Sequence, residues 1–433
     1  MKVCFVNALF YPFRGGTETH MLELGEALVK QGVEVHVVTA RLKGTKQEET
    51  VNGISVHRIP AEVIRIEGLY PPPLVICRNF LKHLRQTDAR ENFDVFHLHG
   101  RWFPDFTQVR KHCSDVGKPL VLTIHNARPT GISALYTLFG SMYENAVGKS
   151  VIKGAGSLIA VSKWTAEDIA KYHIPKKKFT VIYDGIDATK FSPAFNPKVK
   201  EELGIHPKSP LLVWVGRIIP QKGLKYLIAA MPAILKNSPT TKLLIIGTGT
   251  ELPELKKQAA KLGVANSIIF YGQVNDRKKL NNLLRGCDLF VFPSIWEPFG
   301  MVITEAMASG LPIVAARTGG IPEIIQENKN GLLVKPRSAK AFATAVVKIL
   351  NSGKLKQMGA NGRKVVEKKF NWAAIAKQTI AVYKKAPVTK EEGIPQMALN
   401  EMHEVFEKGI ETISAKKLTK YTIRLKRLLK RLS

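Results

Sequence analysis

The sequence predicts an α/β protein built on two doubly wound parallel sheets. Apolar segments typical of buried strands alternate with helical runs from residue 2 to residue 183, and the alternation restarts at residue 211 and continues to residue 334. Such alternation is typical of a parallel sheet covered by helices on both faces. A proline-bearing stretch at 191–209 separates the two runs. We therefore expect two domains that face each other across a cleft, where such sheets bind ligands.

Each unit consists of segments identified by their apolar pattern. The strands expected in the first unit are 2–9, 33–39, 94–98, 120–124, 157–161 and 179–183. The strands expected in the second unit are 211–215, 241–246, 267–271, 288–292, 312–316 and 331–334. The helical runs expected in the second unit are 222–236, 251–262, 276–286, 300–309 and 320–327.

These segments define the predicted domain boundaries. The N-terminal domain is expected at 1–190, the linker at 191–209 and the C-terminal domain at 210–370. A further helix is expected at 371–386, and a basic tail follows at 387–433.

Length and composition indicate a globular protein of two or three domains. The chain has 433 residues, of which 45% are hydrophobic. No apolar stretch approaches the ~20 residues that a membrane span needs, and the strand-like N-terminus is too short for a signal peptide. The 4 cysteines are scattered without a C-x-x-C pair. We therefore expect free thiols and a cytoplasmic protein.

The charge balance is strongly basic. There are 65 Lys and Arg against 35 Asp and Glu, a net charge of +30. Such an excess favours nucleic acid, anionic lipid or phosphate-rich substrates as partners. The excess is spread over most of the chain, which also suits a general bias toward basic residues. Aromatic residues do not alternate with the basic ones in the manner of stacking sites, so nucleic acid is not the expected partner.

The C-terminal tail concentrates this charge on an amphipathic pattern. Residues 415–433 contain eight basic residues and no acidic one, and leucines recur at spacings of three and four. A basic amphipathic helix is typical of binding at a membrane surface, so residues 416–433 are candidates for contact with an anionic membrane. The alternative is a solvated helix, or one packed on the N-terminal domain.

Two carboxylates flank a predicted helix start in the second unit. Glu297 precedes the helix expected from Met301, and Glu305 lies about a turn and a half inside it. A helix N-terminus with free backbone N–H groups attracts phosphate. One anion site between two hydrogen-bond acceptors suits a molecule with phosphate and hydroxyl groups, such as a nucleotide sugar.

Further motifs surround this pattern. Val215-Gly216-Arg217 and Lys222-Gly223 lie upstream, and Gly319-Gly320-Ile321-Pro322-Glu323 lies downstream. From residue 2 to about residue 386 the chain resembles the retaining glycosyltransferases of family four. The resemblance implies the GT-B fold, with two Rossmann-like domains facing a cleft and the helix at 371–386 returning to the N-terminal domain. It also implies a hexosyltransferase, of the EC 2.4 class, that acts in glycan biosynthesis.

The resemblance implies roles for individual residues. Arg217 and Lys222 would bind the donor diphosphate and stabilise the negative charge that grows on the departing oxygen. Glu297 would contact sugar hydroxyls near the reacting carbon, Glu305 would bind the ribose hydroxyls, and His125 would face the transferring sugar. The expected catalytic residues are thus Glu297, His125, Arg217 and Lys222.

Loops and the helix start would complete the donor site. Glycine permits close approach of backbone to a ligand, and the first N–H groups of a helix bind phosphate. The remaining donor-binding residues that the resemblance implies are Gly15, Gly16, Gly247, Gly249, Gln273, Val274, Phe299, Gly300, Met301 and Val302.

No metal ion and no other cofactor is expected. The chain lacks an Asp-x-Asp motif, and basic side chains with the helix start can supply the positive charge. His97 and His99 stand two apart on a strand without an obvious third ligand, so we interpret them as buried or edge histidines. The turn Asp184-Gly185-Ile186-Asp187 resembles the family's Asn-Gly-Val-Asp, with Asp in place of the first Asn.

The leading hypothesis is a metal-independent, retaining glycosyltransferase that uses a glycan, a glycolipid or a small hydroxyl compound as acceptor. UDP-, GDP- and ADP-sugars all suit the predicted donor site. A second hypothesis keeps the fold but makes the protein a GT-B synthase or phosphorylase acting on a sugar phosphate. A third makes it a non-catalytic protein that binds nucleotides or nucleic acid.

Overall fold

The computed structural model describes residues 1–13, 15–64, 74–103, 105–128, 140–141 and 143–389. The chain folds into two α/β units, each built on a sheet whose strands run mostly parallel. The predicted fold class, two doubly wound Rossmann-like units, is therefore confirmed.

The first unit is built on an eight-stranded sheet. Its strands, with a separate two-stranded sheet formed by β5 and β6, are β1 (Lys2–Val6), β2 (Glu34–Ala40), β3 (Glu48–Val51), β4 (Ile54–Ile59), β5 (Ala61–Ile64), β6 (Leu74–Cys77), β7 (Val95–His99), β8 (Leu120–Ile124), β9 (Ser157–Ala160) and β10 (Phe179–Val181). The strand order is β10-β9-β8-β7-β1-β2-β4-β3, in which only β3 is antiparallel to its neighbour. The order reverses between β1 and β7, the place where such sheets bind ligands.

The second unit is built on a six-stranded, fully parallel sheet. Its strands are β11 (Leu211–Val215), β12 (Lys242–Ile246), β13 (Ile268–Gly272), β14 (Leu289–Phe292), β15 (Ile313–Ala316) and β16 (Gly331–Val334). They lie in the order β13-β12-β11-β14-β15-β16, so the reversal falls between β11 and β14. The strands are almost continuously apolar because helices cover both faces.

Helices cover both sheets. The α-helices in the described ranges are α1 (Gly16–Val29), α2 (Phe80–Glu91), α3 (Phe106–Asp115), α4 (Lys149–Gly154), α5 (Lys163–Ala170), α6 (Lys198–Glu202), α7 (Leu224–Asn237), α8 (Leu252–Lys261), α9 (Arg277–Arg285), α10 (Met301–Ala308), α11 (Ala339–Leu350), α12 (Leu355–Lys369) and α13 (Trp372–Lys385).

Helix α13 packs on the first unit although it follows the second in sequence. Its N-cap is Asn371, whose side chain accepts a hydrogen bond from the Ala374 N–H at 2.8 Å. Trp372, Ile375 and Tyr383 then join the hydrophobic core formed by β1, β2 and α1. The two units are thus joined by the linker and by this returning helix.

One predicted helix is wrong. The segment at 320–327 is not an α-helix but contains a 3-10 turn, Ile321–Glu323. Pro322 has no N–H to donate, and the Glu323 side chain is bonded to the N-terminal unit instead of to its own segment. The linker expected at 191–209 also contains a short helix, α6.

The predicted amphipathic tail at 416–433 lies outside the described residues. In the described part of the chain, no helix has both the length and the apolar character needed to cross a membrane.

Candidate active site

Lys222 and Glu297, predicted from separate parts of the sequence, form an ion pair. Lys222 ends the 3-10 turn that follows β11, and Glu297 lies in the loop after β14. Because β11 and β14 are neighbours at the strand-order reversal, the loops at their carboxyl ends meet. Lys222 Nζ is 2.5 Å from Glu297 Oε2, and the two side chains are only 14% and 11% exposed. Charges in such a partly dehydrated position interact more strongly than at the surface.

A glycine pair fixes the backbone at Glu297. The Gly320 N–H donates to the Glu297 carbonyl oxygen at 3.0 Å. Gly319 has φ of +56°, and a Cβ at that position would overlap the same carbonyl oxygen. Only glycine suits this close approach in a left-handed conformation. The Gly319-Gly320 part of the downstream motif therefore positions the loop that carries Glu297.

The two units touch each other beside this ion pair. Ser162, the N-cap of α5 in the first unit, donates through Oγ to the Pro298 carbonyl oxygen at 2.7 Å. The Glu323 carboxylate accepts hydrogen bonds from the backbone N–H groups of Lys163 and Trp164, each at 2.9 Å. A carboxylate at a helix N-terminus is stabilised by the helix dipole. The Glu323 of the downstream motif thus joins the two units.

Helix α10 begins directly after the Glu297 loop. Its N-cap is Gly300, with φ of +109° and no side-chain hydrogen bond at the cap. Phe299 is buried in the core of the second unit, whereas Met301 and Val302 are partly exposed. The first turn of α10 carries no acidic residue that would occupy the positive end of the helix dipole.

Glu305 is bound to an arginine that also reaches the other unit. Arg277, at the start of α9, places Nη2 at 3.2 Å from Glu305 Oε1 and pairs through Nη1 with Glu23 of α1. Glu23 Oε2 also accepts a hydrogen bond from Trp372 Nε1 at 2.9 Å. Burial raises the pKa of Glu305 to about 7; Arg277 opposes the rise and Glu23 adds to it.

The sequence prediction missed both Arg277 and Glu23. In the sequence, Arg277 is the first of three consecutive basic residues at a helix start. Its partner Glu23 lies 254 positions away. No local pattern connects positions so far apart.

The Gly15-Gly16 loop meets the Arg217 loop across the cleft. Gly15 is the N-cap of α1, and Glu18 lies in the first turn of that helix. Burial raises the pKa of Glu18 to about 7, while its own backbone N–H and the positive charge of Arg217 lower it. Arg217 itself is exposed. Loops from the two facing sheets therefore lie close together here.

The remaining predicted loops lie on the other side of β11. A Cβ at Gly247 would overlap the Gly216 carbonyl oxygen, and one at Gly249 would overlap that of Ile218, so both glycines allow the loops after β11 and β12 to pack together. Gln273 and Val274 follow β13, the edge strand, and Gln273 Nε2 donates to Asn275 Oδ1 at 2.8 Å. These residues stand at the opposite side of the reversal from the loop after β14.

His125 lies directly after β8, beside two other histidines. His125 Nε2 is 3.3 Å from His99 Nδ1, and its ring centroid is 4.6 Å from that of His20. Burial lowers the pKa of His125 well below its usual range, and the charges of His20 and His97 lower it further. The imidazole is therefore neutral at pH 7. His97 and His99 are both buried, as expected from the sequence.

Two arginines hold the loop that follows His125. Arg101 is fully buried; it donates to the Glu144 carboxylate at 2.6 Å and to the carbonyl oxygens of Asn126 and Ala127. Arg128 is bonded to Asp168 through its backbone N–H at 2.8 Å and through Nε at 3.0 Å. The sequence prediction missed this arrangement, because the partners are distant in sequence.

The two facing sheets, with the cleft between them, are those of a GT-B protein. A family model described as "Glycosyl transferases group 1" matches residues 195–365, and one described as "Glycosyltransferase Family 4" matches residues 14–190. The chain is 32% identical over 392 residues to an uncharacterized glycosyltransferase of Methanocaldococcus jannaschii, covering 89% of this chain and 98% of that protein. The chain belongs to the group 1 glycosyltransferases of family four and is a transferase, as the sequence motifs predicted.

Solved structures share the fold. Sucrose-phosphate synthase from Thermosynechococcus elongatus superimposes with a TM-score of 0.75 at 24% identity, covering 89% of this chain and 98% of that one. The Anabaena protein HepE, in complex with UDP-glucose, superimposes with a TM-score of 0.70 at 21% identity, covering 89% of this chain and 100% of that one.

Proposed function

We propose that the protein transfers a hexosyl unit from a nucleotide-diphosphate sugar to a hydroxyl acceptor, with retention of anomeric configuration and without a metal ion. The observation that carries the proposal is the Lys222–Glu297 ion pair at 2.5 Å, directly before the start of helix α10. A fixed cation, a carboxylate and the positive end of a helix dipole together suit a sugar diphosphate.

Each group has a distinct task in this proposal. Lys222, Arg217 and the first N–H groups of α10 stabilise the negative charge that grows on the leaving diphosphate, more strongly in the transition state than in the ground state. Glu297 binds hydroxyls of the transferring sugar. Glu305 accepts hydrogen bonds from the ribose hydroxyls, which are strongest when the carboxylate is ionised and freed from Arg277.

UDP-hexoses are the first donors to test. The HepE structure contains UDP-glucose bound to a protein of the same fold, which supports this class of donor. GDP- and ADP-sugars remain the competing donors, because the ribose and diphosphate contacts proposed here do not depend on the base.

The acceptor enters from the side of the first unit in this proposal. His125 ends a strand of that unit and carries a neutral imidazole, which can accept or donate a hydrogen bond to a sugar hydroxyl. A glycan, a glycolipid or a small hydroxyl compound suits this position. A sugar phosphate is the second candidate, supported by the similarity to sucrose-phosphate synthase.

Retention is assigned to front-face attack, in which a donor phosphate oxygen assists deprotonation of the acceptor hydroxyl. In such a step neither Glu297 nor Glu305 becomes covalently bound to the sugar. Proton NMR of the product reports the anomeric configuration; an inverted anomer would contradict the proposed mechanism.

A donor screen followed by a chelation assay tests the proposal. A nucleotide sugar at 100 times its dissociation constant should stabilise the protein by ~2.7 kcal/mol, which is visible as a raised melting temperature. Turnover of the stabilising donor is then measured with EDTA and with added magnesium or manganese. Unchanged activity in EDTA is the expected result, and loss that either metal restores would contradict metal-free transfer. Absence of stabilisation by every nucleotide sugar would contradict the donor assignment.

A further inference from the structure

Three histidines and an aspartate from separate elements meet beside the cleft. His20 lies in α1, His99 ends β7, His125 follows β8, and Asp184 lies in the turn before the linker. One ring nitrogen from each of the three histidines lies within 4.8 Å of the others. His20, His99 and Asp184 are buried. His20 and Asp184 are the additional partners that the sequence prediction did not find for the His97-x-His99 pair.

The hydrogen bonds of this group are incomplete. His20 Nε2 and His99 Nε2 have no hydrogen-bond partner among the residues that the structure describes, and His20 Nδ1 faces Asp184 Oδ1 at 2.8 Å without hydrogen-bond alignment. His97 on the same strand is different, because its two nitrogens pair with Tyr383 Oη and Thr123 Oγ1, each at 2.7 Å. Buried polar atoms are normally satisfied, so several unsatisfied atoms in one cluster point to a missing ligand.

The spacing of the histidines suits a transition metal. His99 Nδ1 and His125 Nε2 are 3.3 Å apart, a long hydrogen-bond contact that a metal ion between the two nitrogens would replace. Two imidazoles on one tetrahedral Zn²⁺, each with a Zn–N bond of about 2.0–2.1 Å, stand roughly 3.3–3.4 Å apart. Imidazole nitrogens select zinc and its neighbours rather than magnesium or calcium, which prefer oxygen ligands.

Asp184 occupies the position of a supporting carboxylate. Its Oδ1 is 2.8 Å from His20 Nδ1, although the two atoms are not aligned for a hydrogen bond. A metal-bound histidine usually donates its other ring N–H to a carboxylate, which orients the ring. A small rotation of His20 would form that bond and leave Nε2 for the metal. This carboxylate is where the chain departs from the family pattern, which has Asn.

We propose that His20, His99 and His125 form a three-histidine site for Zn²⁺, oriented by Asp184. A second histidine group is a weaker candidate. His36 Nδ1 and His57 Nε2 are 2.8 Å apart, closer than two ligands of one zinc ion, and both rings also contact carboxylates of Glu34 and Glu48. Its nitrogens are therefore already paired.

The consequence for catalysis rests on the function proposed above. Zn²⁺ on His125 Nε2 adds a positive charge beside the imidazole that faces the transferring sugar in that proposal and fixes the orientation of the ring. We therefore expect zinc to inhibit a transfer reaction that itself needs no metal. EDTA should leave the purified enzyme active or make it more active, and added zinc should inhibit it.

Zinc binding is measured without any sugar, so its outcome is independent of the proposed function. The full-length protein is stripped with a chelator, and Zn²⁺ is titrated against a chromophoric chelator. Co²⁺ serves as a second probe, because tetrahedral coordination gives intense visible absorption. One equivalent of tightly bound metal and a tetrahedral Co²⁺ spectrum are expected. An absence of tight binding, or an octahedral spectrum, would overturn the proposed zinc site.

Variants assign the binding to these residues. His20→Ala and His99→Ala should each weaken zinc binding by at least about 100-fold, and Asp184→Asn by about 10- to 100-fold. Asp184→Asn restores the family residue, so it keeps the test valid if a histidine variant fails to fold. His57→Gln and the exposed His206→Ala are controls that should bind zinc as the unmodified protein does. Unchanged affinity in Asp184→Asn and His99→Ala, or loss in His57→Gln, would overturn the proposal.

Discussion

Arg277 Nη2 lies 3.2 Å from Glu305 Oε1, so the carboxylate proposed to bind the donor ribose is already paired with a cation. The same guanidinium contacts Glu23 in the other unit. A ribose that takes hydrogen bonds from Glu305 would compete with Arg277 for this carboxylate, within the second unit. Because Arg277 also holds Glu23 of the first unit, we expect donor binding to be coupled to the relative position of the two units through this one arginine.

Replacing Arg277 should weaken the protein. Arg277→Gln leaves the buried Glu305 without its charge partner and leaves Glu23 with only the longer contact to Lys190 at 3.9 Å, and losing one partner of a buried pair costs about 3–5 kcal/mol. Arg277 is 28% exposed, so we expect the lower end of that range or somewhat less, about 2 kcal/mol. A lower melting temperature in a thermal scan is the measurement. The exposed neighbour Lys278→Gln is the control, and equal melting temperatures for both variants would contradict the bridging role.

Donor affinity should depend on pH through Glu305. Its pKa is raised to about 7 by burial, and the ionised form accepts hydrogen bonds from ribose hydroxyls more strongly and through both oxygens, whereas the protonated form turns one oxygen into a donor. UDP affinity, measured by calorimetry from pH 5.5 to 8.5, should be highest at the alkaline end and fall about tenfold per pH unit below 7. Glu305→Gln should bind weakly at every pH.

Glu18 is the control for this profile, because burial also raises its pKa to about 7. Glu18→Gln should leave the pH dependence in place. If Glu18→Gln flattened the profile and Glu305→Gln did not, Glu305 would not be the titrating group.

The raised pKa of Glu305 also makes the free energy of unfolding depend on pH. This free energy should fall as pH rises, whereas donor affinity should increase. Because folding raises the pKa of Glu305, the folded state without ligand binds the extra proton more tightly than the unfolded state. The stabilisation is full below pH ~4.5 and is lost as pH rises through 7. Chemical denaturation at pH 5 and pH 8 gives the free energy of unfolding at each pH. The difference between the two values should be smaller for Glu305→Gln than for the unmodified protein.

Removing a diphosphate-binding or sugar-binding group should reduce turnover while the fold persists. Lys222→Ala, Arg217→Ala and Glu297→Gln should each lower kcat by about 10²-fold or more, the scale of losing one donor to a developing oxyanion. Lys225→Ala, an exposed lysine one turn beyond Lys222, is the matched control. Full activity in all three site variants would contradict the site assignment, provided that a donor is known.

The sequence predicted all six strands of the second sheet, because strand formation depends on local pattern, but in the first unit it missed β3, β4, β5 and β6. The apolar runs at 211–215 and 331–334 became strands β11 and β16 with the same bounds. The prediction of a helix at 320–327 was wrong because the local pattern does not determine the backbone there. Pro322 and the contacts of Glu323 with the N-terminal unit set the backbone instead.

The sequence predicted which residues belong to the candidate site, but not which residues they contact. The family resemblance gave Glu305 and His125, yet their partners Arg277 and His20 come from other parts of the chain. Such pairings depend on which strand ends lie next to each other, and the local periodicity of the sequence does not determine the strand order. The pairing of Asp184 with His20 likewise appears only once the turn before the linker lies against α1.

The basic tail should bring the protein to anionic membranes. Residues 416–433 contain eight basic residues beside an apolar face of Leu and Tyr. Each basic residue near such a surface contributes about 1 kcal/mol, and buried leucines add to this. Full-length protein should sediment with liposomes that contain anionic lipid at low salt, and protein that ends at Ala415 should stay in the supernatant.

A variant with all eight basic residues changed to Gln separates the effect of charge from that of the apolar face and should also fail to sediment. All three proteins should bind UDP equally, because the proposed donor site lies between the two units. If full-length protein ignored anionic liposomes, the tail would not be the means by which the cleft reaches a lipid-linked acceptor.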